Sequence, residues 1–106
     1  MWETFKLKAV FNHFETVMKI LTVRVKAIGG SCDTHKVGDC FRLEGGKLSF
    51  PGENKHFCIY ALSSLLPLLP AKQRKTDEPN DWLPKVIEVE CPDPKGRVIL
   101  EITGEE

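Results

Sequence analysis

The sequence predicts a small antiparallel α+β domain from three features: runs of alternating apolar residues, glycine- and proline-marked turns between them, and one apolar stripe at helical spacing. From Ile20 to Ile28, Leu21, Val23, Val25 and Ala27 alternate with Thr22, Arg24 and Lys26, which marks a strand with one apolar face. Gly29-Gly30 ends it. A loop carrying Cys32 and His35 leads through Lys36-Val37-Gly38-Asp39, read as a turn, into a second strand. There Phe41 and Leu43 oppose Cys40, Arg42 and Glu44. Glu44-Gly45-Gly46-Lys47 is a hairpin signal, because paired glycines accept the positive φ of tight turns. A short third strand is expected over Leu48 to Phe50.

After Pro51-Gly52-Glu53-Asn54 the period changes. Cys58, Leu62, Leu65, Leu66 and Leu69 fall on one stripe of a helix that Pro67 and Pro70 end or kink. Residues 72–84 read as a long polar loop with Trp82 and Leu83 as its only anchors. Two further alternating runs, Ile87/Val89/Cys91 and Val98/Leu100/Ile102, flank Pro92-Asp93-Pro94-Lys95-Gly96 and predict a β-hairpin. The order is ββ(β)αββ: one apolar sheet face, either an open sheet or a partly closed barrel, covered by one main helix.

Residues 18–106 suffice for this single domain, and residues 1–17 read as an extension to it. Leu7, Val10, Phe11, Phe14 and Met18 recur at helical spacing, which predicts an amphipathic helix. Two readings stay open. Met18-Lys19-Ile20-Leu21 resembles an alternative start, leaving the first 17 residues dispensable; the rival is a helix docked on the core or on a second copy. A homodimer through this segment is the partner expectation.

Composition narrows the function classes. Of 106 residues, 42% are hydrophobic and 28% charged, enough apolar material for a packed core. Fifteen basic residues balance fifteen acidic ones, so no net field draws the chain to nucleic acid or an anionic membrane. The longest apolar stretch, Ala61 to Pro70, holds two serines and two prolines and is too short to span a bilayer. Nor do the first residues resemble a signal peptide, since Asn12, His13 and Glu15 interrupt the apolar region. A cytoplasmic location with reduced thiols is therefore expected, and no disulfide pairing of Cys32, Cys40, Cys58 and Cys91 is favoured.

Three motifs stand in order: His35-Lys36-Val37-Gly38-Asp39 after Cys32, Cys58-Ile59-Tyr60-Ala61-Leu62, and Cys91-Pro92-Asp93-Pro94. Together they resemble a family of small uncharacterised bacterial and archaeal proteins about the length of residues 18–106. That family carries Cys before His-Lys-x-Gly-Asp, a Cys-x-Trp-Ala-Leu helix and a late Cys-Pro-Asp-Pro. Tyr60 stands where the family has tryptophan, residues 72–84 are longer and more charged, and Cys40 matches none of its cysteines. The resemblance implies a shared fold and brings no activity with it.

The chemistry rests on sulfur and imidazole. Cys32-Asp33-Thr34-His35 places a thiol and an imidazole at a spacing that lets both reach one ion. With Cys58 on the helix stripe and Cys91 on an inward strand position, Cys32, His35, Cys58 and Cys91 form a candidate Cys₃His metal set for zinc, with iron second. The leading expectation is a small binding domain using that set. One alternative is a thiol-based redox or nucleophilic enzyme pairing Cys32 with His35 as base, or Cys58 with Cys91. Another is a structural interaction module whose cysteines are small apolar core residues. Lys36, Gly38 and Asp39 have a turn reading, with Asp39 bonded to backbone amides. His13 and His56 read as surface residues. No phosphate-binding loop, dinucleotide fingerprint or nucleophile elbow is present.

Overall fold

A computed structural model describes residues 18–74, 79–82 and 85–105. The expected helix over residues 1–17 and its dimer contact lie outside them, as do His13 and Leu83. The described chain forms β1 (Ile20–Ile28), β2 (Cys40–Glu44), β3 (Lys47–Ser49), α1 (Ile59–Leu65), α2 (Leu69–Gln73), β4 (Glu88–Glu90) and β5 (Val98–Glu105). The strands make one antiparallel sheet in the order β3-β2-β1-β5-β4. With β3 and β4 as its edges the sheet is open, so of the two expected architectures the open sheet forms.

Both hairpins stand where the turn residues place them. Gly45, at φ +60°, turns β2 into β3 with Glu44 opposite Lys47. The sheet's apolar face is Leu21, Val23, Val25, Phe41, Val98, Leu100 and Ile102, and Ala61, Leu65 and Leu69 of the helices close over it. No helix among the described residues is long and apolar enough to cross a membrane.

Four local expectations change, each for a physical reason. The β1–β5 register shifts between Val25 and Ala27, so Ala27 is exposed and Ile28, opposite buried Val98, packs on the core instead. A bulge reverses side-chain alternation, and a regular period cannot reveal it. The single helix is two short ones, because Pro67 breaks the first and Pro70 is accommodated in the first turn of the second. Leu66 therefore leaves the stripe and is 55% exposed, while Ala61 joins it. The stretch expected as a loop from residue 72 begins helical, and Trp82, expected to anchor it, is 65% exposed.

Gln73 holds the end of α2 to the sheet. Its side chain is buried and donates from Nε2 to the Gly45 carbonyl at 2.7 Å, while its own carbonyl accepts from the Lys19 amide at 2.7 Å. One helix end is thus tied both to the β2–β3 turn and to the start of β1.

Candidate ligand cleft

Three separate parts of the chain meet at the other end of the helical layer. The segment after β1 runs beside the β4–β5 turn: Gly29, Gly30 and Ser31 donate to the carbonyls of Arg97, Gly96 and Lys95 at 2.9, 2.9 and 3.0 Å. A Cβ on Gly30 would lie 2.1 Å from the Lys95 oxygen, so only glycine permits this approach. The ladder carries Cys32 to the sheet's end. Cys91 follows β4 directly, its amide donating to the Val98 carbonyl at 2.9 Å. Cys58 is the N-cap of α1, in extended conformation and without a side-chain cap.

All four residues singled out by sequence, Cys32, His35, Cys58 and Cys91, line one cleft of ≈470 Å³. Ser31, Asp33, Tyr60, Ala61, Asp93, Lys95 and Val98 contribute to its walls. Cys32 and Cys58 are partly exposed and Cys91 is buried; all are free thiols. Cys40 lines a different hollow on the far side of His35, together with Asp39, Glu53 and His56.

His35 is the structural centre of this end. Its ring is buried, with Nδ1 2.9 Å from Asp39 Oδ2 and Nε2 2.9 Å from the Cys58 amide nitrogen. A backbone N–H can only donate, so Nε2 is the acceptor; Nδ1 therefore carries the hydrogen and donates it to Asp39. The imidazole thus satisfies an amide at the open start of α1, where helices leave amides without internal partners. It links the Cys32 loop to the helix wall of the cleft.

The rest of the assembly fixes the ring. Asp39 Oδ2 also accepts from the Lys36 amide at 3.2 Å, confirming the turn expected there, and Gly38 supports it at φ +101°. Burial pushes the Asp39 carboxyl upward, but the hydrogen bonds from His35 and the Lys36 amide, with the nearby Lys36 charge, hold it below its ordinary range. Phe41 meets Phe57 edge-on at 4.7 Å, Phe57 lies 4.6 Å from the His35 ring, and His56 stacks on the His35 ring at 5.4 Å. His56, expected to be only a surface residue, is exposed but donates from Nε2 to the Thr34 carbonyl at 3.0 Å. Nothing in the spacing of residues 35 and 56 announces this contact, so the sequence does not reveal it.

This geometry bears on the chemical readings. Among the described residues, no group of three or more His, Cys, Asp or Glu side chains stands where it could hold a metal ion. The His35 lone pair a zinc ion would need is already accepting from Cys58. The Cys₃His set is therefore gathered around one cleft without being assembled as a coordination shell. The same lone pair would have to take a proton from Cys32 for His35 to act as its base. Asp39 orients His35 as a carboxylate orients a catalytic histidine, but the imidazole is aimed at an amide. No family model, curated protein or solved structure matches the chain.

Proposed function

We propose that this chain is a small binding domain and that its ligand site is the thiol-lined cleft between the Cys32 loop, the start of α1 and the β4–β5 turn. One observation carries the reading: residues from three separate stretches of sequence line a single cleft of ≈470 Å³. That volume falls in the range of about 300–1,000 Å³ typical of small-molecule sites. The cleft has an apolar floor in Ala61 and Val98, polar groups at its rim, and walls held by the Asp39–His35–Cys58 chain. A non-metal ligand requires no change in that chain. Zinc or iron would have to be held by the thiolates, with His35 first giving up its bond to Cys58.

Native mass spectrometry tests this on untagged protein purified under reducing, oxygen-free conditions, with elemental analysis of the same sample and of Cys91→Ser. An added organic mass that disappears on denaturation supports the reading. Near-stoichiometric zinc or iron that falls sharply in Cys91→Ser replaces it with the metal reading. A bare chain mass, together with no saturable shift of the Cys32, Cys58 or Lys95 amide signals against a small-fragment collection, overturns both.

A further inference from the structure

The cleft has features that select among ligands, and an inference from them rests on the reading just given. Tyr60 belongs to its wall and yet is 71% exposed. The helix that carries Tyr60 is held by Ala61 and Leu65, both buried, so the ring contributes little to the core. An exposed aromatic face at the mouth of a cleft is a platform for a flat ring or a cation. Three polarisable sulfurs, from Cys32, Cys58 and Cys91, line the same space.

Charge gives the second constraint. The ionisable carboxylates of the wall are Asp33 and Asp93, and its one lysine is Lys95, so two negative charges face one positive and the formal balance is −1. Asp93 accepts from the Lys95 backbone amide at 3.0 Å, which fixes its carboxylate at the rim without neutralising it. Asp33 and Asp93 are both exposed, so their attraction is screened by ions and salt-sensitive.

We propose that the cleft takes a small aromatic amine, its ring against Tyr60 and the sulfurs and its ammonium group toward Asp33 and Asp93. The floor of Ala61 and Val98 supplies the apolar contact that a ring needs and a hydrated inorganic cation does not use.

The test is an amide chemical-shift titration of the full chain with benzylamine, benzoate and cyclohexylmethylamine. Benzylamine is expected to give saturable shifts at Cys32, Cys58 and Lys95 and to bind several-fold more tightly than either other probe. The preference over benzoate should shrink in 0.5 M salt. Tyr60→Ala, a change at an exposed position, should weaken benzylamine by about tenfold, the scale of one aromatic contact. Asp33→Asn should remove the preference over benzoate while leaving benzylamine's shifts at the same residues.

Benzoate or cyclohexylmethylamine binding as tightly as benzylamine would overturn the inference while leaving the cleft as a ligand site. Unchanged benzylamine affinity in Tyr60→Ala would do the same. No saturable shift with any probe overturns the inference, and a bare chain in native mass spectrometry then takes the cleft reading with it.

Discussion

The two ends of the helical layer solve the same problem with different side chains. At the exit of α2, Gln73 ties the helix to Gly45 through its buried side-chain amide and to Lys19 through its backbone carbonyl. At the entry of α1, His35 is a buried imidazole that ties the helix to a loop and is itself oriented by a buried carboxylate. The Gln73 end closes over the β2–β3 hairpin. Beside the His35 end lies the cleft that collects three thiols. A neutral amide serves where only attachment is needed. An imidazole held by a carboxylate makes the geometry at the cleft depend on every member of the chain.

The largest effect is expected at the His35 end. His35→Leu leaves the Asp39 carboxylate buried with only the Lys36 amide, and removes the acceptor of the Cys58 amide. A loss of about 3–5 kcal/mol in urea unfolding is expected, from one hydrogen bond lost by a charged carboxylate and one buried amide left without its acceptor. A loss under about 1 kcal/mol would show that the two ends are not distinguished in this way.

Gln73→Leu should cost less, about 1–2 kcal/mol, because the side-chain bond lost, to the Gly45 carbonyl, is a neutral one. Hydrogen exchange should quicken around Gly45 and Lys19, with the amide of Cys58 unaffected. Acceleration at Cys58 would mean that the two ends open together.

Acid should separate the ends further. The folded Asp39 carboxyl is held below its ordinary range, so its contribution to stability is present above about pH 4, near the unfolded value, and is lost as pH falls through the lower folded value. Urea midpoints measured at pH 7, 4 and 3 should fall more steeply for the native chain than for Asp39→Asn. Parallel curves would remove Asp39 from the account. The smallest effect concerns the turn beside the cleft, where Arg97 adopts φ +50°. Arg97→Gly should stabilise the protein by up to about 1 kcal/mol, since glycine carries no Cβ penalty in this region. A thermal melt that shifts downward would show that Arg97 packing on Gly29 outweighs the strain.

Most strands and both hairpins were legible because their signals are local. Alternation at Leu21, Val23 and Val25, the paired glycines at 45–46 and the Pro92–Gly96 turn each act on their own neighbourhood. The gathering of Cys32, His35, Cys58 and Cys91 was legible in part, since inward positions on a helix and a strand share the core they face. The Asp39–His35–Cys58 chain was legible only as His35 beside Asp39. Its third member is a backbone amide, which has no sequence signature.

By itself the sequence determined which segments would be strands, where the two hairpins would turn, and most of the positions that face the core. These follow from periodicity and turn chemistry, which operate over a few residues. Only the tertiary structure decided that the β1 bulge turns Ala27 outward, that Pro67 splits the helix, and that the His35 lone pair is spent on Cys58. Each of those depends on a register or a contact between residues distant in the chain. There the position of a partner, and not the identity of a side chain, sets what a group can do.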